Sequence, residues 1–205
     1  VIAGIILAAG ASSRMGTPKA LLDYRGETFV GRLARVLGET CSPVIVVLGY
    51  HAEAIRPQVR ATAHDILKVI VNPDPSRGQL SSLQTGLAEL PAEADGFAFI
   101  PVDSPAVEAD TVAKLARAFE RRGPSTLFVI PRQAGRRGHP VFAARSIAAE
   151  LLALLPTAEA RDVVHEHVDR TEYVDVDDAG ILTDVDDPEA YRRLKKGEGL
   201  KESAV

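Results

Sequence analysis

Cysteine is almost absent: Cys41 is the single thiol in 205 residues. That excludes an intrachain disulfide and any cysteine-built metal cluster. Nothing beside Cys41 would lower its pKa, so it reads as a small buried or loop residue, not a nucleophile. An excess of positive charge is missing too. A formal net charge of −4 surrounds the molecule with no strong positive field, which argues against a nucleic-acid or anionic-membrane partner. Long apolar runs are lacking. The N-terminal run over residues 1–9 is too short to cross a bilayer, and no basic segment precedes it as a secretory signal requires. A cytoplasmic location is the resulting expectation, although the chain opens on Val1, which leaves room for an upstream segment. No internal repeat or long linker interrupts the chain, so one domain is expected over residues 1–195, with a solvated tail over 196–205. His51, His64, His165 and His167 have no metal-ligand spacing, and His165 and His167 are too close to share a helical face. Both of the latter read as surface residues. No Ser-His-Asp arrangement is evident.

What is present is a regular alternation. Short runs rich in Val, Ile and Phe occur at residues 2–9, 44–49, 66–71, 97–102 and 126–130. They mostly lack polar alternation, as strands buried on both faces do. Amphipathic segments lie between them. One places Phe29, Leu33, Val36 and Leu37 on a face; another spaces Leu80, Leu83, Leu87 and Leu90 helically; a third, over 109–121, turns Val112, Leu115, Ala116 and Phe119 inward. The order predicts an α/β fold, a mainly parallel sheet with helices on both faces. After residue 130 come a basic loop over 132–138, an apolar piece over 140–143 and helical segments over 146–155 and 160–167. Strand candidates at 172–176 and 181–185 suggest a hairpin across the acidic string 175–187. Asp187 and Pro188 then suit the cap and first position of a closing helix.

The strongest local signal is Leu7-Ala8-Ala9-Gly10-Ala11-Ser12-Ser13-Arg14-Met15-Gly16-Thr17-Pro18-Lys19. An apolar strand ends in small residues, which let the backbone approach a ligand closely. Its N–H groups suit phosphate oxygens, while Arg14 and Lys19 add charge and Ser12 a hydroxyl. The spacing is neither that of a P-loop nor the dinucleotide fingerprint Gly-x-Gly-x-x-Gly. Asp103 follows directly on the run 97–102, at the carboxyl end of a strand, where ligands of open α/β sheets bind. Magnesium is usually held by one or two carboxylates plus substrate phosphates, so Asp103 is a metal-ligand candidate as well as a turn former. If residues 184–186 are extended, Asp184 and Asp186 share a side and either suits the same ion.

From Leu7 to Leu22 the sequence resembles the opening of the molybdopterin nucleotidyltransferase-like (MobA-like) NTP transferases, within the nucleotidyltransferases of GT-A type. The resemblance implies a single-domain, Rossmann-like GT-A architecture and a Mg2+-dependent enzyme that releases pyrophosphate. Leu7, Ala8, Ala9, Gly10 and Ser12 would lie at the nucleotide, with Arg14 and Lys19 on the triphosphate. Asn72, Gly78 and Ser82 match a second nucleotide-contacting segment. Asp103, in an Asp-x-Pro pattern, and Asp186, in Asp184-Val185-Asp186-Asp187-Pro188-Glu189, match the metal ligands. Arg14, Lys19 and Asp103 would carry the catalysis. Arg137, Gly138, His139 and Pro140 match the acceptor side. Ala-Ala-Gly in the first loop looks like the CTP-using branch, which implies CTP and molybdopterin, or its molybdenum-loaded form, as substrates. Transient contact with molybdenum enzymes or their chaperones would pass the product on. Competing expectations are a guanylyltransferase, an enzyme acting on a sugar 1-phosphate, a nucleotide sensor without turnover, and an adaptor displaying a large apolar patch.

Overall fold

The computed structural model describes residues 1–61 and 67–197. Ile66, His64 and residues 198–205 of the expected tail lie outside the described residues. The chain runs β1 (Ile2–Ala8), β2 (Asp23–Tyr24), β3 (Glu27–Thr28), α1 (Phe29–Gly38), β4 (Val44–Leu48), α2 (Ala52–Ala61), β5 (Leu67–Val71) and α3 (Gly78–Leu87). It continues with β6 (Gly96–Pro101), α4 (Ala109–Glu120), β7 (Phe128–Gln133), β8 (Arg136–Arg137), β9 (Val141–Ala144), α5 (Ile147–Ala153), α6 (Ala160–Glu166), β10 (Thr171–Asp175) and α7 (Pro188–Lys195).

Among the described residues eight strands form one sheet in the order β10-β7-β9-β6-β1-β4-β5, with β8 paired to β7. Strands β6, β1, β4 and β5 are parallel neighbours, and β10 is parallel to β7. Strand β9 enters antiparallel between β6 and β7. The sheet is therefore mostly parallel, as expected. Every residue of β1 and β4 is buried. Their alternate side chains divide between two cores: Ile2, Ile6, Val44 and Val46 pack with α1 and α4 on one face. Ala3, Ile5, Leu7, Ile45 and Val47 pack with α3 and α5 on the other. Both faces are covered, which explains the lack of polar alternation. Helix α1 starts where Thr28 Oγ1 accepts a hydrogen bond from Gly31 N at 3.2 Å. Helix α7 starts on the expected cap, Asp187 Oδ1 accepting from Ala190 N at 2.8 Å.

The acidic string does not form a hairpin. Strand β10 pairs with β7, and the residues after it make a 3-10 turn, Ala179–Leu182, followed by an extended stretch outside any strand. Asp178 Oδ1 accepts from Gly180 N and starts the turn, and Val185 N donates to the carbonyl of Asp103 at 2.9 Å, so it is not available to a partner strand. No helix among the described residues is long and apolar enough to cross a membrane.

Candidate active site

Strand β1 lies between β6 and β4, and the connections from its neighbours leave in opposite directions, which opens a crevice at the carboxyl ends. The loop after β1 enters it from one side and Asp103, just beyond β6, from the other. Ser12 has φ 52°, the left-handed conformation that gathers neighbouring N–H groups into a concavity for anions. Its hydroxyl accepts from Lys19 N at 2.9 Å, closing the loop on itself. Tyr50 N donates to Ala9 O, and His51 shares a 3.1 Å hydrogen bond with Ala11 O, so the end of β4 braces the loop from behind.

Lys19 joins the two sides. Its Nζ donates to Asp103 Oδ2 at 3.0 Å and to Asp186 Oδ1 at 2.7 Å. Burial pushes the Lys19 ammonium down, but Asp103 and Asp186 outweigh it and hold the group above its ordinary value. The Lys19 hydrogen bond, with Arg14 adding its charge, keeps the Asp186 carboxyl below the usual carboxylate range. Arg14 reaches the same oxygen at 3.2 Å with a side chain 66% exposed, so it is free to turn toward a ligand. Asp184 completes the group: oxygens of Asp103, Asp184 and Asp186 lie within 4.8 Å of one another. Although Asp184 is exposed, the protein around its carboxyl strips away part of the water there and, with the charges of Asp103 and Asp186, pushes it up to about 6. An all-oxygen set of carboxylates that repel one another fits a hard divalent cation such as Mg2+ or Mn2+.

Two concavities meet at Asp103. The smaller, about 200 Å³, is lined by Leu7, Ala8, Ala9, Gly10, Ser12, Lys19, Gly78, Ser82 and Asp103, all expected from sequence, together with Tyr50, Pro75 and Gln79, which were not. Asn72 is buried; its amide donates to the Ser81 and Ser82 hydroxyls at 2.9 and 3.1 Å. It therefore shapes the wall behind Ser82. The larger cleft, about 870 Å³, is lined by the expected Arg137, Gly138 and His139. Pro140 is buried beside it. Its rim also carries Arg77, Arg136, Arg161 and His165 over an apolar floor that includes Leu83, Phe99 and Ile130. Gly138 lies so close to Ile181 that a Cβ would sit 2.1 Å from its carbonyl oxygen. Burial pushes the His139 imidazole down to about 4, so the ring is neutral near pH 7, and its Nδ1 has no hydrogen-bond partner among the described residues. His165 is exposed, as expected, whereas His167 is partly buried and bonds Glu150 at 2.7 Å. Of the lining residues that sequence missed, Gln79 and Leu83 lie on α3, Arg161 and His165 on α6, and Tyr50 just after β4; none belongs to a recognisable motif of its own.

Residues 4–171 match the family described as MobA-like NTP transferase domain. A Paenarthrobacter nicotinovorans protein named nicotine blue oxidoreductase is 30% identical over 94% of this chain and 96% of its own. A probable molybdenum cofactor guanylyltransferase of Bacillus cereus is 33% identical; the match covers 51% of this chain and about half, 50%, of that relative. Among solved structures, Rv0371c of Mycobacterium tuberculosis H37Rv superposes with a TM-score of 0.78 at 32% identity, over 95% of this chain and 98% of that one. A manganese complex of the same mycobacterial protein scores 0.76, at 30% identity over the same shares. The chain belongs to the MobA-like NTP transferase family, a family of nucleotidyltransferases.

Proposed function

We propose that this chain transfers a nucleoside monophosphate, CMP from CTP foremost, to the terminal phosphate of molybdopterin or its molybdenum-loaded form and releases pyrophosphate. The observation that carries the reading is Lys19 bonded at once to Asp103 and Asp186, where a small pocket meets a large basic-rimmed cleft. The small pocket takes the nucleotide, with its triphosphate over residues 8–19. The cleft takes the acceptor, its phosphate drawn by Arg137 and the neighbouring arginines. A phosphate monoester is largely ionised near neutral pH, its second pKa being about 6, so no strong general base is needed. An acceptor oxygen attacks the α-phosphorus in line; the α–β bridging bond breaks and pyrophosphate leaves. Lys19 and Arg14 turn their N–H donors to the triphosphate and offset charge growing on the leaving group. Asp103 and Asp186, with Asp184 beside them, would hold Mg2+, which supplies further charge neutralisation across the phosphates. The reaction takes place in the cytoplasm, and molybdenum enzymes or their chaperones collect the product.

Pyrophosphate release is measured with each of the four NTPs, Mg2+ and molybdopterin or its molybdenum-loaded form. Release from CTP alone is expected, and its loss in Asp103→Asn. Preference for GTP would instead align the chain with the relatives named guanylyltransferase. The near full-length likeness to nicotine blue oxidoreductase favours one second reading, an oxidoreductase acting on nicotine blue. Pyridine-nucleotide oxidation in the presence of nicotine blue, with no pyrophosphate release from any NTP, would establish that reading and remove the first.

A further inference from the structure

Asp103 and Asp186 reach one point from remote parts of the chain, yet the segment carrying Asp184 and Asp186 belongs to no strand among the described residues. Something else must hold it. Asp178 is 8% exposed and spends both carboxylate oxygens on backbone donors: Oδ1 accepts from Gly180 N at 2.8 Å and Oδ2 from Glu108 N at 3.0 Å. The first bond starts the turn that leads to Asp184. The second fastens that turn to the loop leading from Asp103. Gly180 is pressed against the same loop so closely that a Cβ would lie 2.1 Å from Ala106 O. Val185 N, between the two late carboxylates, then donates to Asp103 O. From the opposite side Arg32, 4% exposed, grips the loop through Pro105 O at 2.8 Å and Val107 O at 3.2 Å.

We infer that Asp178 is a positioning residue for the divalent-cation site, setting Asp184 and Asp186 against Asp103 by bridging Gly180 N and Glu108 N. The inference rests on the reading of those carboxylates as a metal site. Only a carboxylate suits the bridge, because both partners are donors. An asparagine has one acceptor and one donor, so a buried N–H would face another N–H. Groups hydrogen-bonded directly to metal ligands typically change metal affinity about 10–100-fold when lost; Asp178 acts through the backbone that carries the ligands, so the low end of that range is expected.

The test is Mn2+ binding to the full chain, followed by electron paramagnetic resonance, in wild type, Asp178→Asn, Asp177→Asn and Asp103→Asn. Asp177 is an exposed neighbour whose substitution removes the same charge without touching the bridge. Asp178→Asn is expected to keep its circular dichroism and bind Mn2+ about tenfold more weakly, with Asp177→Asn within about twofold of wild type. The Mg2+ concentration for half-maximal turnover should rise by the same factor in Asp178→Asn. The KM for nucleotide at saturating Mg2+ should stay put, and kcat should return there. Should Asp178→Asn fail to fold, Gly180→Ala, which displaces the same turn with no change of charge, carries the same expectation. Wild-type Mn2+ affinity in the variant that folds overturns the inference, as does an equal loss in Asp177→Asn, which would make the effect one of charge. Unweakened binding in Asp103→Asn would overturn the metal reading itself and the inference with it.

Discussion

Replacing Lys19 with methionine keeps the stem and removes the charge that holds the site together in the free chain. The Lys19 side chain is 13% exposed and its partner Asp103 24%, while Asp186 is 42% exposed. Removing one partner of a fully buried pair costs about 3–5 kcal/mol, and an exposed pair is worth roughly 0–1 kcal/mol. The Lys19–Asp103 contact lies between these limits, and the Asp186 contact is discounted toward the lower one, which gives a loss of about 2 kcal/mol. At about 2–4 °C per kcal/mol for a chain of this size, the melting temperature in chelator should fall by about 4–8 °C. The three carboxylates left behind repel one another, with Arg14 the remaining cation beside Asp186 among the described residues. A divalent cation that binds only the folded state stabilises it by mass action, about 2.7 kcal/mol at a hundredfold excess over Kd. Lys19 no longer competes for those oxygens in the variant, so excess Mn2+ should raise the melting temperature of Lys19→Met more than that of wild type. Under the proposed function Lys19 donates to the triphosphate, so turnover should stay about 10²–10³-fold down even with metal in excess. Differential scanning fluorimetry in EDTA and in Mn2+ reads the stability terms, and pyrophosphate release reads the last. Equal melting of the two proteins in EDTA, or an equal gain from Mn2+, would refute the account of Lys19 as the resident counter-charge.

His139 should make the protein acid-sensitive. Its folded value of about 4 lies below the ordinary 6.5, so the unfolded chain binds a proton that the folded one refuses. Its contribution is complete above pH 6.5 and is lost as pH falls toward 4, by on the order of 3 kcal/mol. Urea midpoints at pH 7 and near pH 4 should fall less in His139→Gln than in wild type; an equal fall in both would contradict it. Cys41 is 1% exposed and its thiol is pushed up to about 12 by burial. A disulfide reagent should therefore label it only as fast as the chain opens. Rapid stoichiometric labelling of native protein would show the burial to be wrong.

The parts of this molecule legible in its sequence are those that local chemistry decides. Strands buried on both faces show as unbroken apolar runs, so residues 2–9 and 44–49 read correctly as β1 and β4. The loop after β1 is legible as a unit because small residues, a lysine and an arginine follow one strand directly, and the structure sets residues 8–12 and Lys19 along one pocket beside Asp103. Helix α2 drew no expectation: Pro57 stands inside it, and Ile55 and Val59 are its buried apolar residues among those described. Strand β9 is short, and its antiparallel entry between β6 and β7 follows from packing that no spacing encodes. The acidic string misled for a deeper reason. Its alternation of Asp and Val has the period of a strand, and Val185 is indeed fully buried while Asp184 and Asp186 face the other way. A hairpin, however, would spend the backbone of that stretch on its own neighbour. Val185 N goes to the carbonyl of Asp103 instead, a backbone contact between remote loops that leaves no trace in side-chain pattern. Pairing with an adjacent strand and fastening to Asp103 compete for one N–H group, and only the second brings Asp184 and Asp186 within reach of Lys19 and the loop after β1.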